Sequence, residues 1–147
     1  MTEKVQAVLI LEILGRPAEY IKKTLSEIVD KLKEEKDVSV INKKIAEPKP
    51  VEGQENLFTS FAEIELETFL EKLMAICFAY MPSHIEIVKP EELKISNAGL
   101  NSFLNELISR LHKYDELVKA LMIERQTLAK AIKDGEVKTQ KRKKKKN

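Results

Sequence analysis

The sequence predicts an α+β fold, in which an antiparallel sheet domain is followed by one long helix. Two observations predict the sheet domain: four stretches rich in apolar and β-branched residues, and two amphipathic stretches that separate them. A third observation predicts the helix, because apolar side chains recur with 4-3 spacing through the C-terminal third of the chain. We therefore predict a domain over 1–95, a helix over 96–134 and a Lys-rich, disordered tail over 135–147.

The first half of the domain contains two predicted strands and one predicted helix. Residues 5–14 are almost continuously apolar, which predicts a strand that is buried on both faces for most of its length and central in its sheet. A helix over about 17–36 follows, because Pro17 suits a first helical turn and the apolar residues lie on one stripe. The second strand runs over 38–45, and its alternation slips near Asn42, which indicates a bulge or a frayed strand.

The second half of the domain begins with a polar loop over 47–56, which is either a flexible hairpin tip or a binding loop. The next stretch, over 57–67, alternates between apolar and polar residues, as in a strand with one face on the core and one in water. Thr68 and Glu71 have the spacing of a capping box and predict a second helix there. That helix ends before Pro82.

A short fourth strand over 83–88 completes the predicted domain. The order β-α-β-β-α-β is that of the ferredoxin-like arrangement, with strand order 4-1-3-2 and both helices on one face. This topology is similar to that of ACT-type regulatory domains and of many RNA-associated proteins, so it does not identify a function by itself. The exposed aromatic motif of RNA-recognition domains is missing from the sequence.

The predicted long helix carries an apolar seam at two positions of each heptad, named a and d. Asn97 is predicted to cap this helix, and Asp134 and Gly135 to end it. The a positions of the seam are Leu104, Leu111, Val118, Arg125 and Ile132. Its d positions are Leu100, Leu107, Tyr114, Leu121 and Leu128. One charged a position is typical of coiled coils, in which such residues set the register.

The two halves of the seam differ in width. Phe103, Ile108 and Leu117 widen its first half, which favours packing on the helix's own domain. The second half is narrow, which favours a coiled coil with a second copy of the chain. The residues predicted to mediate self-association are Val118, Leu121, Arg125, Leu128 and Ile132. The alternative is a monomer whose helix folds back or frays after about residue 120.

Charge is distributed unevenly along the chain. The cationic end holds seven Lys or Arg residues and no carboxylate: Lys138, Lys141, Arg142, Lys143, Lys144, Lys145 and Lys146. The rest of the chain holds 19 cations against 24 carboxylates, so it carries about −5. Seven cations can neutralise phosphates of RNA or DNA, although no aromatic residue lies among them to stack on bases. The other interpretation is a solubilising, disordered end.

Few residues suggest catalysis or metal binding. Glu63, Glu65 and Glu67 share one strand face, but we interpret them as solvated carboxylates paired with lysines such as Lys43. Cys77 could act as a nucleophile only with a base such as His84, and no local signature supports that pairing. The histidines and the cysteine match no zinc pattern, so no catalytic residue, cofactor or metal is predicted.

The sequence therefore favours a non-enzymatic interaction protein of unknown specific role. It would form a homodimer through the long helix and contact RNA, DNA or a ribonucleoprotein through the cationic end. The alternative is an ACT-like domain that senses a small molecule, near the loop over 47–56 or at the dimer interface. No membrane span or secretory signal is visible, so the cytoplasm is the expected location. The abundance of Lys and Glu is weakly compatible with a thermophile.

Overall fold

The computed structural model describes residues 3–144, with the side chains of residues 3–140 and 142. It is an α+β structure that divides into two compact units between Gly99 and Leu100. Its elements in chain order are β1 (Lys4–Gly15), α1 (Ala18–Glu34), β2 (Val38–Ile45), β3 (Lys49–Pro50), β4 (Phe58–Phe69), α2 (Leu70–Tyr80), β5 (His84–Lys89) and α3 (Asn97–Lys144).

The five strands form one antiparallel sheet. Its order is β2-β4-β1-β5, and the two-residue β3 pairs with the start of β4. β1 is therefore central, as its apolar sequence predicts. The prediction that β1 is buried on both faces is wrong, because Val5, Ala7, Leu9 and Leu11 are buried whereas the residues between them are only half-buried.

The core lies between one face of the sheet and the two short helices. β4 contributes Ala62, Ile64 and Leu66 to it, and Glu63 on the opposite face is exposed, so the predicted alternation is confirmed. The helices contribute Leu25, Val29 and Leu32 from α1 and Leu70, Leu73 and Ile76 from α2. Gly15 sits where α1 approaches the sheet, since an added Cβ there would lie 3.1 Å from Cγ2 of Ile21.

A bulge in β2 changes which of its lysines faces the glutamates of β4. The register between β2 and β4 shifts between Val40 and Asn42, where the sequence predicts a slip. The shift places Lys44 opposite Glu63. Lys43 is on the other face, with its Nζ 3.4 Å from the Asp30 carboxylate of α1. The predicted pairing of Lys43 with the glutamates is therefore wrong, because the extra residue reverses the side chains that follow it.

The predicted loop over 47–56 is partly ordered as a strand. Lys49 and Pro50 pair with Thr59 and Phe58, and the Val51 N–H donates a 2.9 Å hydrogen bond to the Leu57 carbonyl. These bonds leave a short turn over 51–57. Gly53 in this turn has φ of 74°, a left-handed conformation that glycine adopts without a Cβ clash.

The start of α2 does not use the predicted capping box. β4 extends to Phe69, which occupies the N-cap position without a side-chain cap. Thr68 is buried on the core face of β4, and its hydroxyl donates a 2.7 Å hydrogen bond to the Asp37 carbonyl instead. The helix ends at Tyr80, as Pro82 predicts.

Helix α3 is longer than its sequence predicts. The Gly99 N–H donates a 3.2 Å hydrogen bond to the Ser96 hydroxyl, so Ser96 provides the cap and Asn97 is already helical. The predicted end at Gly135 is wrong, because the helix continues to Lys144. One glycine weakens a helix by about 1 kcal/mol but keeps both of its backbone hydrogen-bonding groups. The segment over 135–144, which the sequence predicts to be disordered, is therefore helical.

Candidate self-association and anion-contact surfaces

The second half of the seam forms a continuous exposed stripe along α3. Val118, Leu121, Leu128 and Ile132 are between 53 and 64% exposed, although all four are large apolar side chains. A shallow groove runs beside them, and Arg125 lies on its wall: it is lined by Leu121, Glu124, Arg125, Leu128, Ala129 and Ile132. The structure therefore places all five predicted self-association residues on one accessible surface.

The polar side chains of α3 support the helix itself. Arg110 Nε lies 2.7 Å from the Glu106 carboxylate, and Lys119 Nζ lies 2.5 Å from that of Asp115. Pairs with this i, i+4 spacing stabilise a helix by about 0.3–0.5 kcal/mol each. All four residues lie outside the a and d positions, so the apolar stripe does not depend on them.

The cationic end continues the same helix as far as Lys144. Lys138 and Arg142 are exposed, and the backbone from residue 141 to residue 144 is helical. The side chains of Lys141, Lys143 and Lys144, and the whole of Lys145 and Lys146, lie outside the described residues. The Thr139 hydroxyl donates a 2.9 Å hydrogen bond to the Gly135 carbonyl. This bond lies at the residue of the segment with the lowest helix propensity.

The glutamates of β4 lie on the strand face opposite the core, where Glu63 is exposed and Glu65 and Glu67 are half-buried. Lys4 Nζ lies 2.9 Å from the Glu67 carboxylate, and the Gln6 amide donates a hydrogen bond to Glu65. Glu63 is exposed, opposite Ile10 and Lys44. Within the described part of the chain, no three or more His, Cys, Asp or Glu side chains are grouped as a metal site would require.

Cys77 and His84 occupy different elements, α2 and β5. Cys77 is half-buried, and burial raises the pKa of its thiol, which opposes formation of a thiolate nucleophile. His84 is exposed and pairs with Ile10 across the sheet. His112 is exposed on α3.

A polar cluster that no sequence motif predicts links the C-terminal end of α1 to α2. The Glu35 carboxylate lies 2.8 Å from Lys72 Nζ and accepts a 2.9 Å hydrogen bond from the Tyr80 hydroxyl. Contact with Lys72 and Tyr80 lowers the pKa of Glu35. Burial, together with the neighbouring carboxylate, raises the pKa of Tyr80 to about 12. Glu35 lies 37 and 45 residues from its partners, so no local motif contains the cluster.

Comparison with protein families gives a match that covers most of both compact units. The family model described as the MJ0538 family matches residues 6–142. The chain belongs to the MJ0538 family. The matched range of this MJ0538-family chain includes the sheet domain, the whole seam and part of the cationic end. No curated protein and no solved structure matches the chain. No helix within residues 3–144 has both the length and the apolar content to span a membrane.

Proposed function

We propose that this protein is a non-enzymatic interaction protein that dimerises through α3 and contacts an anionic macromolecule through its cationic end. RNA, DNA or a ribonucleoprotein is the proposed partner. One observation carries the proposal: α3 presents a regular apolar seam to solvent and then continues directly into a run of cations. The helix thus combines a surface for a second copy with a surface for phosphates.

Self-association is supported by the regularity and the exposure of the seam. Its apolar side chains repeat at a and d, and those from Leu111 to Ile132 are 45–64% exposed. A coiled coil buries such residues as knobs in the holes of the partner helix. A monomer would leave the whole stripe in water, and exposed apolar stretches of this extent mark interaction sites in soluble proteins.

The proposal also includes a ferredoxin-like arrangement for the sheet domain and a coiled coil for α3. We assign the sheet domain to the ferredoxin-like arrangement, supported by the order β2-β4-β1-β5 and by the antiparallel pairing of these strands. We assign α3 to the coiled coils, supported by its 4-3 spacing and by the charged a position at Arg125.

The anionic partner is supported by the charge of the last ten residues. The cationic end has seven Lys or Arg residues and no carboxylate, whereas the rest of the chain carries about −5. Any phosphate contact is therefore expected to be confined to this end. Since no aromatic residue lies among the cations, we expect binding that is strongly salt-dependent and has no sequence preference.

The test of self-association is the solution mass, measured by light scattering as a function of concentration. We expect a dimer for the natural chain and a monomer for Leu121→Glu, which places a carboxylate in the seam. Ile123→Glu is the matched control, because Ile123 is 65% exposed on the same helix but lies outside the a and d positions. A monomeric natural chain at high concentration would contradict the proposal.

The test of the anionic partner is titration with RNA and with duplex DNA at two salt concentrations. Replacing the seven cations of the cationic end with Gln should abolish binding, and replacing them all with Arg should preserve it. Neutralising seven phosphate contacts predicts a slope of log affinity against log salt of about −6 for duplex DNA. Binding that is unchanged in the Gln variant would refute the proposed role of this end.

A further inference from the structure

We infer that two copies of the chain pair antiparallel through α3, in a single register that places Arg125 against Tyr114 of the partner subunit. This inference rests on the proposed self-association and adds the orientation and register of the two helices. The occupant of the exposed seam is thus a second copy of the same seam, turned about a two-fold axis between residues 119 and 120.

Arg125 decides the orientation. A parallel coiled coil faces each a residue with its own copy, so two guanidinium groups would oppose each other across the seam. An antiparallel pair faces a residues with d residues, which separates the two guanidinium groups. Burying a charge without a polar partner is costly, and the antiparallel arrangement offers Arg125 a different partner.

Tyr114 decides the register. The d positions comprise four leucines and Tyr114, so each register that uses the seam places Arg125 against a leucine or against this tyrosine. A tyrosine ring can pack on a guanidinium group through a cation–π contact, and its hydroxyl keeps a polar edge at the seam. Tyr114 is 45% exposed, so its ring is accessible to a partner helix.

The remaining layers of this register are all apolar. When Arg125 meets Tyr114, Val118 meets Leu121, Leu111 meets Leu128, and Leu107 meets Ile132. Because a two-fold axis relates the two helices, each of these pairs occurs twice in the dimer. The overlap from 107 to 132 corresponds to about 39 Å of helix at 1.5 Å per residue.

Sliding one helix by a heptad removes this complementarity. In one direction Arg125 meets Leu121 and Tyr114 meets Ile132. In the other direction Arg125 meets Leu107 and Tyr114 meets Val118. A further slide towards the C-terminus places Arg125 against Leu128. Each alternative leaves the guanidinium group against an aliphatic side chain.

Disulfide trapping distinguishes these arrangements, because Cys77 is the chain's single cysteine. The background is Cys77→Ala, and the two test chains carry Leu111→Cys or Leu128→Cys in that background. A disulfide requires Cα atoms within about 7 Å. In the proposed register, residue 111 of one chain lies about 26 Å from its own copy, so each test chain alone should stay uncross-linked. An equimolar mixture should form a disulfide-linked heterodimer on mild oxidation.

Two further mixtures test the register. Leu111→Cys with Gly135→Cys reports a slide of one heptad in one direction, and Leu104→Cys with Leu128→Cys reports the opposite slide. Both mixtures should remain uncross-linked. Cross-linking of Leu111→Cys alone would establish parallel helices and overturn the inference, while leaving the proposed dimer intact. Cross-linking in either control mixture, or a dimer in which no mixture cross-links, would also overturn it. A monomer by light scattering would instead refute the proposed function.

The Arg125–Tyr114 contact has its own test. Arg125→Glu should weaken dimerisation about tenfold, because a carboxylate would face the partner's aromatic ring. Adding Tyr114→Arg to the same chain should restore the dimer, because each chain then presents opposite charges at the two positions. Adding Leu121→Arg instead should not restore it. Rescue by Leu121→Arg and not by Tyr114→Arg would place Arg125 against Leu121 and overturn the register.

Discussion

The sheet domain and helix α3 place their apolar side chains in different environments. In the domain, the core residues of β1, β4, α1 and α2 are at most 4% exposed. In α3, the large apolar residues from 111 to 132 are 45–65% exposed, although they recur just as regularly. A periodic apolar pattern thus identifies a surface suited to packing, but it does not tell whether the chain itself covers that surface.

The polar groups of the domain are also satisfied within the domain. The hydroxyls of Ser60 and Thr68 are buried, and each donates a 2.7 Å hydrogen bond to a backbone carbonyl. Among the described residues, no buried side-chain nitrogen or oxygen lacks a partner. The buried hydroxyls of the domain are therefore hydrogen-bonded within it, whereas the large apolar side chains of α3 from 111 to 132 are exposed.

Alanine substitutions separate these two kinds of apolar residue. Leu9→Ala should lower the free energy of unfolding of the domain by about 3 kcal/mol, because Leu9 is fully buried and the change leaves a cavity. Leu121→Ala should leave the unfolding of the domain unchanged and weaken dimerisation. Chemical denaturation and light scattering measure the two quantities. A domain destabilised equally by both substitutions would show that the seam belongs to the domain core.

A smaller effect of about 1 kcal/mol compares a glycine from each region. Gly135→Ala should stabilise the end of α3, because alanine favours a helix by about 1 kcal/mol over glycine and nothing lies within 4 Å of the added Cβ. Gly53→Ala should destabilise the domain, since φ is 74° there. Circular dichroism and thermal unfolding measure the two changes. A loss of helicity in Gly135→Ala would contradict the continuous helix.

A weaker effect than those of the substitutions above is expected from pH, through Tyr80 and Glu35 of the sheet domain. The pKa of Tyr80 is raised to about 12 from its ordinary value of 10, so its contribution to stability is complete below pH 10 and is lost as the pH rises towards 12. The pKa of Glu35 is lowered, so its contribution is present above pH 4.5 and is lost at lower pH.

Tyr80→Phe tests the alkaline limb of this dependence. The variant should lose the part of the alkaline decline in domain stability that lies between pH 10 and 12, because it lacks the titrating hydroxyl. Tyr20→Phe is a suitable control, since Tyr20 is 61% exposed. An unchanged alkaline profile in Tyr80→Phe would mean that the cluster does not couple α1 to α2.

The sequence predicted the features that depend on periodicity, and it failed where distant residues compete. The alternation of β4 identified its buried face, and the slip near Asn42 identified the bulge. The capping box failed because the Thr68 hydroxyl bonds to Asp37, which is 31 residues away. The predicted end of the long helix is wrong because one glycine, Gly135, does not interrupt a helix when the residues around it favour helix.

The same distinction applies to the candidate surfaces. Spacing alone located the seam, and composition alone located the cationic end, because both features are local in sequence. The contacts of Lys43 and Glu35 could not be predicted. The face on which Lys43 lies depends on the position of the bulge in β2, and the partners of Glu35 depend on how α1 and α2 pack. The spacing alone could not decide between an exposed seam and a helix that folds back, because the same heptads could have packed on the domain.

The continuation of α3 through Gly135 gives the proposed dimer a fixed molecular length. In the antiparallel register, residue 142 of one chain lies opposite residue 97 of the other. The two cationic ends are then about 68 Å apart at 1.5 Å per residue, which corresponds to roughly 20 base pairs of duplex at 3.4 Å each. Shorter polyanions would engage one end, and longer ones both. Affinity would therefore rise in a step with polyanion length, through avidity rather than through any additional contact per site.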